Sequence, residues 1–411
     1  MEGLESAMKE LQLSLFPKLL PHSMQAIPLA VQQALSNGAA LAISVSGGKD
    51  SDAMLRHLTA LHRAQRWPGP LFAITADLGR IEWPGTFEHI QMVCSQLNVK
   101  LVIVRRRKGG MIERWDERRQ VLIEQQELAA IALGEEEAIA PEREGDKPFW
   151  SSSAARYCTK ELKTAEVDRY LRRFGSVVCA VGIRAEESSS RAKKPHCQVR
   201  NDITTASLKA PRGLNAKEHE QWAEEAIARW EGSDHTGRLA LTWNAILDWP
   251  LEKVWETIGT SEDDLERRRS LYRSKDITAA LKGWPGHWAY VSGNSRLSCS
   301  MCVLASAADI RNGAEHNPST WLELATMEVQ SGWSFQQGKW LSDLNVGLED
   351  RMETTEKLFA DLKALGLIEQ WNPMFVIALL SVVPVLVIAC WKKRVQLALA
   401  AAVQRQMETQ L

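Results

Sequence analysis

The chain has 411 residues, with 50 Lys plus Arg against 51 Asp plus Glu, a formal net charge of -1 and 45% hydrophobic residues. That length suits one elaborated domain or two and excludes a disulfide-stapled module, while the balance of charge and apolar content excludes a disordered chain or a polycationic nucleic-acid coat. Seven cysteines, an odd number, do not read as a disulfide framework, and the start MEGLESAMKELQ is too acidic and polar for a secretory signal, so a reducing cytoplasm is the expected setting.

Residues 1–40 read as an N-terminal helical segment, punctuated by Pro17, Pro21 and Pro28 and closed by Ser36-Asn37-Gly38. The period then changes. LAISVSG at 41–47, PLFAITADLG at 70–79, KLVIVRRR at 100–107 and SVVCAVGIRA at 176–185 are short β-branched runs separated by stretches of helical spacing. Runs apolar on both faces suit buried parallel strands, which predicts an α/β, doubly wound, mainly parallel Rossmann-like sheet in a domain spanning 41–310. Two insertions interrupt it. The first, 108–150, is a long helical stretch ending in the polar run PEREGDKP; the second, 186–240, opens with a polar run lacking apolar periodicity and predicts a mobile loop beside an active site. A helical region over 311–372 and an apolar segment with its tail over 373–411 complete the chain.

Ser46-Gly47-Gly48-Lys49-Asp50-Ser51 follows the strand run LAISV and opens a helical stretch, the context in which backbone amides and a helix start hold a phosphate. It is not a Walker A loop, because Asp50 stands where Ser or Thr should follow Gly-Lys. Gly47 and Gly48 let the backbone approach phosphate oxygens, Lys49 supplies a point charge, and Ser46 and Ser51 can donate hydrogen bonds. Asp50, repulsive to phosphate by itself, is expected to hold Mg²⁺ or to cap the helix. Arg184 and Arg191 follow the fourth strand run, where open α/β sheets bind ligands. Trp249 and Trp255 read as core.

The hexapeptide resembles the signature of the PP-loop, or ATP pyrophosphatase, superfamily. Further matches resemble the phosphoadenosine phosphosulfate (PAPS) reductase family within it: Asp77-Leu78-Gly79 followed by Glu82 and Thr86, then Arg156 to Lys163 around Cys158, then Gly182-Ile183-Arg184 through Arg191, then Asp248-Trp249 with Val254-Trp255. The resemblance implies a bound adenine nucleotide, ATP or PAPS or adenosine phosphosulfate (APS), at Ser46 to Ser51 with Asp77, Gly182, Arg184 and Arg191. Lys49, Asp50, Arg184 and Cys158 are its expected catalytic residues, with Mg²⁺ on Asp50 or Asp77. The thioredoxin-dependent reductases carry a C-terminal nucleophilic cysteine, whereas this sequence ends VQRQMETQL, and the iron-sulfur reductases carry adjacent cysteines where this one has Tyr157-Cys158. Expectation therefore moves from sulfonucleotide reduction toward sulfur transfer.

Cys299 and Cys302 form a C-x-x-C pair, with Cys158 as the distant partner. Thiolates at this spacing bind iron-sulfur or zinc. The related branch that thiolates DNA or RNA is similar in carrying a cysteine-bound 4Fe-4S cluster, so Cys158, Cys299 and Cys302 are the expected cluster ligands, with Cys197 as a fourth ligand or sulfur carrier. Zinc with His287 is the alternative. Cys94 and Cys179 read as core residues. The basic run Arg105-Arg106-Arg107-Lys108 suits a nucleotide or nucleic-acid substrate and equally a solvated loop. Residues 374–391 would span ~27 Å as a helix, close to the hydrocarbon thickness, yet central Pro384 and trailing Lys392-Lys393-Arg394 oppose a simple crossing, which leaves a membrane surface or a buried, oligomerising helix.

The expected function is ATP-dependent activation of a substrate by adenylation, coupled to sulfur transfer, in the cytoplasm with membrane association through 374–391. The expected partners are a DNA or RNA acceptor, a cysteine desulfurase-like sulfur donor or a reductant protein, and a second copy of the chain. The rivals are a sulfonucleotide reductase and a non-catalytic, membrane-tethered nucleotide-binding regulator.

Overall fold

The computed structural model describes residues 27–133 and 148–344, and the four β-branched runs form parallel strands of one sheet. These are β1 (Ala40–Ser44), β2 (Leu71–Asp77), β3 (Lys100–Arg105) and β4 (Ser176–Ala180). Two more strands, β5 (Cys197–Val199) and β6 (Leu239–Trp243), extend it to the order β3-β2-β1-β4-β6-β5. Every neighbouring pair is parallel except β5 against β6.

β1 shows why its sequence lacks polar alternation. Leu41 and Ile43 pack into a core with Leu55, Leu58 and Val178, while Ala40 and Ala42 face a second core with Phe72, Ile74 and Leu171. Both faces are covered, so both sets are apolar and the period of two survives only as large against small.

Helices α1 (Leu29–Ser36), α2 (Lys49–Gln65) and α3 (Thr86–Gln96) accompany the first three strands. After α4 (Met111–Leu133) come a π-helical turn (Cys158–Thr164), α5 (Ala165–Leu171), α6 (Ser189–Ala192) and α7 (Ala216–Gly232). Beyond β6 lie α8 (Leu251–Ile258), α9 (Glu262–Arg273), α10 (Ile277–Leu281), α11 (Trp288–Ser292), α12 (Ala307–His316) and α13 (Pro318–Ser331).

The described residues divide into two compact units. The first, comprising 27–78, Pro84–Arg107 and Tyr157–Ser298, holds the whole sheet. The second comprises Gly79–Trp83, 108–133, 148–156 and 299–344, so the described parts of the first insertion and residues 299–344 belong to one body. Its core is aromatic: Trp115, Trp150 and Phe335 meet edge to face at 5.0 to 5.7 Å, and Trp150 Nε1 donates to the Trp333 carbonyl at 3.1 Å. Buried Glu328 accepts the amides of Phe335, Leu341 and Ser342, which compensates its charge with three directed donors.

The second insertion differs from the loop expected there. It contains β5, whose three residues are too few to show a period, and α7, whose start is a capping box. Asn215 Oδ1 accepts the Glu218 amide at 3.0 Å and Glu218 accepts the Asn215 amide at 2.7 Å. The N-terminal segment is described only from residue 27, and PEREGDKP almost wholly, the end of the 311–372 helical region and the apolar segment 374–391 lie outside the described residues. Among the described residues no helix is long and apolar enough to cross a membrane.

Candidate functional site

The phosphate-loop motif sits where β1 ends. Val45 donates its amide to the Ile74 carbonyl at 2.9 Å, and the chain then turns through Gly47 at φ 73°, a left-handed conformation that only glycine adopts without strain. Gly48 is the extended residue before α2. Ser51 closes the turn: its hydroxyl accepts the Ser46 amide at 3.1 Å and donates to the Gly48 carbonyl at 2.8 Å. The two serines thus build the loop, and α2 begins at its edge with the positive end of its dipole.

The position follows from topology. β1, β2 and β3 run outward in one direction, while β4 lies on the other side of β1, so the carboxyl ends of β1 and β4 flank the switch point where open α/β sheets bind ligands. The segment leaving β4 lies against the first turn of α2, close enough that a Cβ at Gly182 would stand 3.3 Å from the backbone of Asp50. Arg184 is thereby delivered to the loop. Its Nε donates to Asp50 Oδ1 at 2.7 Å, and Lys49 Nζ meets Asp50 Oδ2 at 3.0 Å. Lys49 and Arg184 are only 7% and 5% exposed, so two cations share one carboxylate in a poorly hydrated place.

This arrangement gives Asp50 a different first task from the metal ligand or cap expected of it: each of its oxygens accepts from a cation, and it holds both cations at the loop. Arg184 also donates to Glu186 at 2.6 Å, and Arg191, on α6, is ion-paired with Glu187. Asp77 closes β2, with Arg105 Nη1 4.0 Å from its carboxylate. A glycine turn carrying two cations fits the polyphosphate of an adenine nucleotide, and Asp50 and Asp77 are the hard oxygen donors that Mg²⁺ takes.

Sequence reasoning missed the layer beneath the loop. Tyr290, on α11, is 1% exposed, and its phenol oxygen accepts the Lys49 amide at 3.0 Å and the Leu297 amide at 3.2 Å. Burial pushes this phenol up, so it stays protonated. The Lys49 ammonium lies 5.7 Å from the Tyr290 ring and 6.0 Å from that of Trp255, which gives the buried Trp255 of the core reading a place beside the loop. Asp52 accepts from or pairs with His89 at 2.5 Å, tying α2 to α3. No local pattern could have signalled these contacts, which join residues far apart in sequence.

His287, considered as a zinc ligand, is committed elsewhere. It is buried, its Nδ1 accepts the Ala289 amide at 3.1 Å, and its Nε2 lies 3.3 Å from Thr86 Oγ1. Desolvation, followed by the proximity of His89, pushes its pKa down to about 3. A folded pKa below the unfolded 6.5 means that the unfolded chain takes up the proton first. Stability from this neutral imidazole is therefore complete above pH ~6.5 and lost progressively as the pH falls toward about 3. Thermal unfolding between pH 7 and 4 should show this loss, and His287→Gln should flatten the slope; an unchanged slope would remove His287 as its source.

The cysteines separate by burial. Cys94, Cys179 and Cys197 are buried, whereas Cys158, Cys299 and Cys302 are partly exposed. Cys94 is pushed up to about 11 by desolvation and the Asp52 charge, and burial raises the Cys179 thiol as well. Cys197 stands in β5 with 0% exposure, and burial beside Glu220 and Glu224 pushes its thiol up, which disfavours a free thiolate there. Cys158 opens the π-helical turn of the first unit, and Cys299 and Cys302 belong to the second. Their turn is built within that unit. Ser300 donates its amide and hydroxyl to the Ile81 carbonyl at 2.8 and 2.9 Å, and Gln336 Nε2 donates to the carbonyls of Val303 and Ala305. A Cβ at Gly313 would meet the Ser300 carbonyl oxygen at 1.9 Å, so only glycine fits there. Among the described residues no three His, Cys, Asp or Glu side chains are gathered as a metal site.

No curated protein matches the chain. The family model of the phosphoadenosine phosphosulfate reductase domain matches residues 40–267, a span that contains all six strands, the phosphate loop and the Gly182–Arg191 segment. With more than half of its length matched and the motif residues of that family converging on the switch point of the sheet, the chain belongs to the phosphoadenosine phosphosulfate reductase family of PP-loop, adenine-nucleotide-binding enzymes.

Proposed function

We propose that the chain binds ATP at Ser46–Ser51, activates an acceptor by adenylation with release of pyrophosphate, and passes sulfur to it. The observation that carries this reading is the pair of cations, Lys49 and Arg184, held on the Asp50 carboxylate at the edge of a glycine turn. An acceptor oxygen attacks the α-phosphorus, the bond to the α,β-bridging oxygen breaks, and the electron pair leaves with pyrophosphate. Negative charge then grows on the leaving group, where two buried cations are worth far more than in water. Mg²⁺ on Asp50 or Asp77 would supply further neutralisation of the polyphosphate. The terminal sulfur of a donor persulfide then attacks the activated acceptor and AMP leaves with the electron pair of the broken bond; a second thiol, from a reductant protein, attacks the donor-side sulfur of the resulting disulfide, which frees the thiolated acceptor and leaves a donor–reductant disulfide.

Cys158, Cys299 and Cys302 are the thiols proposed for the sulfur centre, iron-sulfur in preference to zinc, because among the described residues they are the partly exposed ones and the Cys299–Cys302 turn is braced by Gln336. A DNA or RNA acceptor, a cysteine desulfurase-like donor and a second copy of the chain are the partners proposed with it. The apolar stretch 374–391 is proposed, on its sequence alone, to contact a membrane surface. The matched family also favours a second reading, sulfonucleotide reduction at the same nucleotide site.

Product analysis with labelled ATP tests the proposal. AMP and pyrophosphate are expected; ADP and orthophosphate would overturn it. Sulfite release from PAPS or APS that depends on a reductant would establish the reductase instead, and ATP binding without any turnover would leave a regulator.

A further inference from the structure

The phosphate loop is held from below by a residue outside the matched family region. Tyr290 accepts two amides with one phenol oxygen, that of Lys49 at the start of α2 and that of Leu297 in the segment Gly293–Ser298. The segment itself touches the loop: a Cβ at Gly47 would stand 3.4 Å from Leu297 Cδ2, and one at Gly48 3.5 Å from Leu297 Cβ and 3.3 Å from the Tyr290 oxygen. Arg269 fixes the other end, donating from Nε to the Tyr290 carbonyl at 2.9 Å and from Nη2 to the Asn294 carbonyl at 2.7 Å. The first amide of a helix has no partner within it and would otherwise be served by water or ligand. Here it is committed to a buried, neutral phenol, so the peptide plane that opens the loop is oriented before any phosphate arrives.

We infer that Tyr290 is a positioning residue of the nucleotide site: with Leu297 it forms a strap that preorganises the Gly47–Lys49 turn for the β and γ phosphates. Preorganisation removes an ordering cost from binding and keeps Lys49 where charge develops. The strap makes no claim on the adenosine part of the ligand, and that separates positioning from general loss of structure. The inference rests on the ATP reading above, and its test distinguishes the two.

Calorimetric titration of the full chain with ATP, AMP and adenosine 3′,5′-bisphosphate, for the wild type and Tyr290→Phe, provides the measurement, alongside thermal unfolding. Tyr290→Phe keeps the ring and removes the acceptor of both amides. ATP binding should weaken about tenfold, the size expected of one lost buried hydrogen-bond arrangement, while AMP binding changes less than about twofold. Equal ATP affinity in the two proteins, or equal weakening for ATP and AMP, overturns the inference. Wild-type binding of the bisphosphate but not ATP overturns the ATP reading alone, and the same comparison on the bisphosphate against AMP then decides the strap; wild-type binding of none overturns both. If Tyr290→Phe does not fold, Leu297→Ala, which trims the contact with Gly47 and Gly48 but keeps the amide on Tyr290, should weaken ATP binding by about threefold and AMP binding not at all. Unchanged ATP affinity in that variant overturns the strap.

Discussion

Lys49→Ala is expected to lower pyrophosphate release from ATP by about 10²- to 10³-fold, with most of the loss in kcat, because the ammonium acts on charge that appears only as the leaving group departs. The fold should survive for an electrostatic reason. Removing one partner of a buried ion pair is costly when it leaves the other charge uncompensated, but Asp50 keeps Arg184 on its second oxygen at 2.7 Å. Lys49→Arg should recover only part of the rate, since a planar fork replaces a compact charge packed beside Trp255 and Tyr290. Quantified pyrophosphate at saturating ATP, with thermal unfolding as the control, checks the expectation. A Lys49→Ala protein that keeps its rate would show that the loop binds phosphate without assisting the chemistry.

The second large effect concerns the thiols. Each of Cys158→Ser, Cys299→Ser and Cys302→Ser should abolish the broad visible absorption and the acid-labile sulfide of anaerobically prepared protein, because a hydroxyl is a poor replacement for a soft thiolate donor. Cys94→Ala, Cys179→Ala and Cys197→Ala should keep the colour and lose only stability, since all three thiols are buried and two of them lie within strands. Colourless protein without iron, prepared anaerobically, would sink the iron-sulfur reading, and stoichiometric zinc in it would install the alternative.

The strand-loop-helix unit at Ser46–Ser51, the four apolar runs and their class of sheet were legible in the sequence, because each leaves a local pattern of residue types even where its contacts, such as Leu41 with Leu71, are distant. A run buried on both faces must be apolar throughout, and a glycine turn between strand and helix needs Gly47 where φ is positive. The core reading of Trp249 and Trp255 holds as well, since both are buried in one cluster with Leu41 and Ile43. β5 and β6 were not legible as strands. β5 is three residues long, and its pairing with β6 joins it to residues about forty positions away.

What the charged and titratable groups do depends on contacts between residues far apart in the chain. Arg184 reaches Asp50 across 134 residues and Tyr290 reaches the Lys49 amide across 241, distances at which spacing carries no information. Cys197 and His287 have the residue types of ligands; the fold buries the first in β5 and gives both ring nitrogens of the second partners in Ala289 and Thr86. Desolvation disfavours the thiolate of one and the imidazolium of the other, and whether a side chain is desolvated depends on what the rest of the chain packs against it.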